Sequence, residues 1–443
     1  MTASRRYVGP AVVLVCCGFF AVRLFRFIDR YAVNVLFWDQ WVYLTALREH
    51  RGPWELFSWI HGPHRMGLGY LFIEAVFAAS RWDDRAEAFA TFGVFLVILA
   101  LALLLKRRTA GPLHWTDACI PALVLTTAQF EVFIGTPNAA HGPLPLFLVV
   151  LSPFLWFVPG GPLRAVLGGV LAVCAAFTGF AILLVPCLSA VFLADALWPA
   201  AEGGPRPWDA AGVALCAGAL ALFLRGYHFS SFVDCFEFPD PRPLGYVPFM
   251  GLAVVRPMRL VRLVPIARAL AIGGAVFVSV LAAASAVRLS RRRRSPLDRT
   301  LFLFSCFTLL FVADAAVGRV CLGPGAALAS HYVPYVAPLW LAAYLALAAR
   351  ADAAPIARWA ARAFAAAVLG VQVFVHDDVN VIRWYSEGKA AWRACYLAAG
   401  DEARCNHEAG FRIYPVDNAP QVLEMLPYLR ENRLNLFKRQ GDR

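Results

Sequence analysis

Apolar residues along this chain fall in long runs separated by short polar breaks, and the runs set the expected architecture. A run of roughly 16–22 apolar residues is what a helix needs to cross about 30 Å of hydrocarbon. The first run, Val8 to Ile28, predicts span one. A mostly non-spanning segment follows, 29–85, containing an amphipathic stretch from Gly67 to Ala79. Further spans are predicted over Ala86 to Leu105, Asp117 to Ile134 and Leu144 to Val158. The stretch Arg164 to Trp198 is too long for one helix and splits near Thr178-Gly179 into spans five and six. Ala210 to Leu224 gives span seven. A second outer loop, 225–265, is rich in proline and aromatics. Ile266 to Leu289, Thr300 to Val317, Val333 to Ala349 and Ala360 to Val375 complete the set. The expected fold is therefore an all-α polytopic membrane protein of about eleven transmembrane helices. Residues 1–376 form the membrane domain and 377–443 a small polar tail.

Composition agrees: 60% of the 443 residues are hydrophobic and 16% are charged, against about 45–50% and about 25% in soluble domains. The net charge of +12 does not point to nucleic acid. The basic residues cluster at the ends of apolar runs, which is how cytoplasmic loops are marked, and where anionic lipid headgroups attract them. The groups at Arg5-Arg6, Lys106, Arg164, Arg206, Arg291 and Arg350–Arg362 fall on one side. That orients the N-terminus to the cytoplasm and, with eleven spans, the C-terminus outside. Arg256, Arg259 and Arg262 run against the pattern: they fall on the outer side, at a spacing that would make a basic stripe on a helix. The first run lacks a small-residue cleavage site, so it reads as a retained span and not a processed signal.

Seven of the eleven cysteines lie inside predicted spans, where the thiol behaves as a small hydrophobe. The other four, Cys235, Cys321, Cys395 and Cys405, all fall on the assigned outer side. An even number there permits disulfides in three connectivities. Cys395 with Cys405 is the most economical pair, since a small tail benefits from a staple. No Cys-x-x-Cys spacing or cofactor motif appears.

Polar residues at membrane depth are costly and so are informative. Trp38-Asp39-Gln40-Trp41 follows span one. Its two Trp suit the interface, and Asp39 could serve there as a general base or simply cap a helix. His61-Gly62-Pro63-His64-Arg65 places two imidazoles and a guanidinium within five residues, a set able to hold phosphate or a divalent metal, or to form an interfacial turn. Gln129 and Glu131 near the end of span three, and Asp314 with Arg319 near the end of span nine, approach the same membrane face as Asp39. Gln129 also suits helix-to-helix hydrogen bonding. Ser330-His331-Tyr332 opens span ten.

In this order, several of these stretches resemble bacterial membrane proteins of the GT-C glycosyltransferase type. They are Trp38-Asp39-Gln40-Trp41, the His-x-x-His-Arg segment from His61, Gln129-Phe130-Glu131 with Gly135, Gly226-Tyr227-His228, Gly318-Arg319, and Ser330-His331-Tyr332. The tail is similar too, with Trp392-Arg393-Ala394-Cys395-Tyr396, Cys405, Ile413-Tyr414-Pro415 and Leu434-Asn435-Leu436-Phe437. Similar sequences carry Asn-Glu where this chain has Gly62-Pro63, and Arg where it has His331.

The resemblance implies a transferase working at the extracytoplasmic face of a bacterial inner membrane. It would move a sugar from a polyprenyl-phosphate donor to a glycan, lipid or protein acceptor. Asp39 would then be the catalytic base. His61, His64, Arg65, Arg319, His331 and Tyr332 would receive the donor phosphate, with Gln40, Gln129, Glu131 and Asp314 lining the pocket. The competing expectation is a transporter or flippase with Glu131 and Asp314 on its pathway, or a non-catalytic subunit of an envelope complex.

Overall fold

A computed structural model describes residues 3–49, 51–198, 207–231, 233–259 and 266–438. Arg206 and Arg262, and the side chains of Arg5 and Arg6, lie outside what it describes.

The described chain is almost entirely helical. In order come α1 (Ala3–Tyr31), α2 (Gln40–Arg48), α3 (Pro53–Ser58), α4 (Gly67–Ser80), α5 (Asp84–Ala110), α6 (Cys119–Val124), α7 (Pro143–Leu151), α8 (Gly161–Ala176) and α9 (Leu184–Leu197). There follow α10 (Pro207–Leu224), α11 (Tyr246–Val255), α12 (Ala267–Leu289), α13 (Pro296–Arg319), α14 (Val333–Ala348) and α15 (Pro355–Phe374), then α16 (Val379–Ala399), α17 (Glu402–Glu408) and α18 (Pro420–Glu431). The only strands among the described residues are β1 (Ile60–His61) and β2 (His64–Arg65), an antiparallel pair.

Among the described residues, seven helices are long and apolar enough to cross a membrane: Val8–Tyr31, Asp84–Ala110, Gly179–Leu197, Pro207–Leu224, Ala267–Leu289, Pro296–Leu322 and Pro355–Phe374. The protein is an integral membrane protein. Their ends carry sequence-encoded stops. Asp83 caps α5 by accepting from the Arg85 N–H at 3.0 Å, and Ser295 and Asp298 form a capping box on α13.

The other four predicted spans are shorter or broken. Span three becomes α6 flanked by 3-10 turns at Trp115–Ala118 and Thr127–Gln129 and a π-turn at Glu131–Gly135. Span four is α7 continued by a 3-10 turn at Ser152–Phe157. Pro121, Pro145 and Pro153 remove backbone donors in these segments. Irregular backbone survives at membrane depth only where protein covers it, and residues 116–130 are buried throughout. α11 and α12 pack backbone to backbone at Gly251 and Gly274: a Cβ on Gly274 would come within 2.4 Å of the Gly251 carbonyl oxygen.

Charge at the ends of the spans is paired internally. Lys106 meets Asp117 at 2.8 Å, Arg299 meets Asp195 at 2.8 Å, and Arg164 meets Asp209 at 2.7 Å. The expected basic stripe does not form. The helix ends at Val255, a 3-10 turn spans Arg256–Met258, and Arg259 turns left-handed at φ 53°. Arg259 and Arg256 meet Asp377 at 2.9 and 3.4 Å, and Arg259 also donates to the Val375 carbonyl at 2.7 Å.

The tail is not a separate globule. A second hydrophobic core joins Phe37, Trp41, Leu44, Tyr70 and Phe77 of the first loop to Trp392, Cys405, Phe411, Ile413 and Met425. Trp41, expected at the membrane interface, is therefore fully buried. Cys395–Cys405 is a disulfide with Cα atoms 5.6 Å apart, linking α16 to α17. A second, Cys235–Cys321, ties the 225–245 loop to the end of α13.

Candidate functional site

Trp38 adopts φ 51° and donates its N–H to the Ile413 carbonyl at 2.8 Å, which fixes the turn before α2 against the tail. Asp39 stands at the N-terminus of α2, yet its side chain makes no capping bond. Its Oδ2 faces His61 Nε2 at 3.6 Å instead, with the imidazole buried and about half of the carboxylate side chain accessible.

His61 is presented by the β1–β2 hairpin, in which it pairs across from His64. Gly62 at φ 58°, followed by Pro63 with its fixed negative φ, suits the two-residue turn that closes such a hairpin. The Gly62-Pro63 dipeptide is thus what brings the two histidines opposite each other. Tyr227, just past α10, donates its hydroxyl to the Pro63 carbonyl at 3.0 Å and props the turn.

The surroundings tune these groups. Burial would push the Asp39 carboxyl up, but the contact with His61 outweighs it. With His141 and Arg319 adding positive field, its pKa falls below the usual carboxylate value. Burial, with the fields of His141 and Arg319, holds His64 uncharged. His64 packs 4.0 Å from the Phe180 ring and 5.4 Å from His141. Burial and the neighbouring positive groups, His61 first, drive His141 down to about 3, against the opposing pull of Asp39.

Arg319, at the end of α13, forms no salt bridge among the described residues. Its guanidinium lies over the Tyr332 ring at 5.7 Å. Glu131 and His331 close one side. The Glu131 carboxylate accepts from the His331 backbone N–H at 3.1 Å and meets His331 Nδ1 at 2.9 Å. Tyr385 of α16 reaches the same carboxylate at 3.4 Å. Asp314 is exposed on α13, in a stripe with Leu310 and Gly318 at i, i+4 and i+8. A Cβ on Gly318 would meet no heavy atom within 4 Å, so this stripe is not packed against the protein.

Asp39, His61, His64, Arg319, His331, Tyr332 and Glu131 thus come together from five separate segments, while Asp314 lies one turn before Arg319 on the exposed side of α13. Three other expected residues serve elsewhere. Arg65 donates to the carbonyls of Ser58 (2.5 Å), Phe223 (2.9 Å) and Arg225 (2.7 Å). It caps the C-terminal end of α10, where a cation is favoured. Gln40 is fully buried, accepts from the Phe37 N–H, and donates to Asp84 and the Pro137 carbonyl. Gln129 donates to the Val124 carbonyl at 2.9 Å, satisfying the broken end of α6.

His141 was missed by sequence reasoning. Its signal was a polar island, Thr136-Pro137-Asn138 to His141, between two apolar runs. No group of three metal-ligand side chains gathers among the described residues.

Chemically, the site offers an ionised carboxylate beside an imidazole, and a guanidinium without a carboxylate partner. The 3.6 Å separation leaves Asp39 free to accept a proton from an approaching hydroxyl. Comparisons of the chain with protein-family models, with curated proteins and with solved structures find no match for it.

Proposed function

We propose that this protein is a GT-C-type glycosyltransferase, moving a sugar from a polyprenyl-phosphate donor to an acceptor hydroxyl at the outer face of a bacterial inner membrane. The observation that carries the reading is the convergence of an accessible carboxylate, Asp39 beside His61, with Arg319, a guanidinium that forms no salt bridge among the described residues and lies within the field of Asp39. Asp39 removes the acceptor proton as the hydroxyl attacks the anomeric carbon. The sugar–phosphate bond breaks, and the polyprenyl phosphate leaves with the bonding electron pair. Arg319, on the Tyr332 ring, meets the charge developing on the phosphate, the kind of interaction that contributes most to such a step. The Leu310–Asp314–Gly318 stripe gives the prenyl chain an open path along α13 to Arg319. Glu131 holds His331 in place of acting as a base.

In this reading the four shorter segments each cross the bilayer as well, making eleven passages with the N-terminus inside. Both disulfides and the Asp39 site then share the oxidising side.

The test is transfer from a panel of radiolabelled polyprenyl-phosphate sugars in membranes carrying the wild-type or Asp39→Asn protein. Asn keeps the shape and removes the base, so transfer falls by about 10²–10⁴ while the amount of folded protein is unchanged. Arg319→Ala lowers kcat for transfer, because the charge developing on the leaving phosphate loses its partner. Full transfer by the Asp39→Asn protein would place the base elsewhere.

A further inference from the structure

A groove of about 640 Å³ lies in the loop-and-tail layer, outside the spans, lined by Trp38, Trp384, Asn406, His407, Gly410, Arg412, Pro415 and Asp417. That volume is in the range of small-ligand sites, which combine aromatic walls with a few placed polar groups.

The aromatic walls are unusual in being left open. Trp38 and Trp384 are each 45% exposed, although other large aromatics of this layer, such as Trp41 and Trp392, are fully buried. Both indoles rest on Phe37. Trp38 stacks on it at 5.4 Å and 27°, while Trp384 meets it edge-on at 6.4 Å and 83°. The two indoles therefore stand at a steep angle and form a corner. Trp38 is held there in a left-handed backbone conformation that a bulky residue rarely adopts, and such strain persists where surrounding structure enforces it. In the lining of the same groove, Arg412 and Asp417 pair at 3.5 Å with both side chains accessible. Asn406, also in the lining, donates to Asp417 at 2.8 Å.

Flat apolar faces and a donor–acceptor pair lining one groove suit a sugar ring, with its C–H face on an indole and its hydroxyls on Arg412 and Asp417. The opposed charges of that pair disfavour a strongly anionic or cationic ligand. We infer that this groove binds one or more units of a neutral glycan. The groove also touches the site. Trp38 precedes Asp39, and Tyr414, next to Pro415, lies in the field of the Asp39 carboxylate. A glycan seated here extends toward Asp39 as the acceptor. Its role as acceptor rests on the glycosyl-transfer reading; the binding of saccharide does not.

The experiment is binding of the full-length, detergent-solubilised protein to an array of short neutral pentose and hexose oligosaccharides. The wild type is expected to bind at least one class. Trp384→Ala should weaken binding by about tenfold or more, and Trp384→Phe should recover part of it. Arg412→Ala, at an exposed position, supplies a second loss should Trp384→Ala fail to fold. No binding by the wild type, or binding indifferent to both Trp384→Ala and Arg412→Ala, overturns the inference. Trp384-dependent binding without any sugar transfer upholds the groove and removes the transferase reading. Transfer without Trp384-dependent binding removes the groove alone.

Discussion

Asp377 sits at the joint between membrane domain and tail, and its replacement by Asn tests what fastens the two. The carboxylate is 3% exposed, 2.9 Å from Arg259 and 3.4 Å from Arg256, which are themselves largely buried. Removing one partner of a buried pair costs about 3–5 kcal/mol, because a desolvated charge is left behind. Here the loss is partly cushioned. Arg259 retains the Val375 carbonyl at 2.7 Å and the Thr127 hydroxyl at 2.8 Å, and Arg256 retains the Leu328 carbonyl at 2.7 Å. Asn also keeps one acceptor oxygen in place. The expected cost is therefore about 2–4 kcal/mol. Arg85 and Asp29 provide the internal control, since they meet at the same 2.9 Å but are 40% and 62% exposed. Breaking that pair should cost about 0–1 kcal/mol. The assay is the unfolding midpoint of the purified protein in one detergent, followed by tryptophan fluorescence. Asp377→Asn should melt several degrees below both the wild type and Arg85→Ala. Equal midpoints for Asp377→Asn and Arg85→Ala would refute the claim that burial makes the Arg259–Asp377 contact a structural joint.

Four other outcomes follow from the same geometry. Asp39 has a depressed pKa, so its base form persists as pH falls toward that value and is lost only below it; the transfer rate should stay level from about pH 7 to about pH 5. An acid limb centred near pH 6 would show that another group titrates. Cys405→Ser should release a single Cys395 thiol to a membrane-impermeant maleimide applied from outside, and labelling that requires broken cells would reverse the orientation. A C-terminal reporter active only in the cytoplasm would do the same. Gly67→Ala should sharply lower the yield of folded protein: φ is +47° there, and a Cβ would come within 2.0 Å of the Phe177 carbonyl oxygen. Normal expression and stability of that variant would mean that α4 does not dock on the end of α8.

What the sequence could reveal depended on the range of the interaction. Long apolar runs report solvent directly, so α1, α5, α10, α12, α13 and α15 were legible as spans. Runs such as 117–134 carried the same hydropathy, but protein packing covers them, and the break at Leu125 and Thr126 depends on that cover. Cys395 and Cys405 were legible as a pair because ten residues separate them; Cys235 and Cys321, 86 apart, could be found only once the chain was folded. Asp39 announced itself by its place just past a span. Arg65 did not reveal its task, because the carbonyls it caps lie about 160 positions away. Gln40 and Gln129 looked like pocket residues for the same reason: an amide at membrane depth reads alike whether it faces a ligand or a broken helix.

The core shared by the first loop and the tail also sets a timetable. Trp38 donates its N–H to the Ile413 carbonyl, and Phe37 stacks on Phe411. During synthesis the first loop leaves the ribosome early, while residues 411 and 413 follow after all the spans. The segment bearing Asp39 therefore waits, unfinished, through the insertion of the whole membrane domain. A nascent chain stalled or cut before residue 411 lacks the support that fixes Asp39, however well its spans are seated. Assembly of the site thus doubles as a check that translation has run through to the tail.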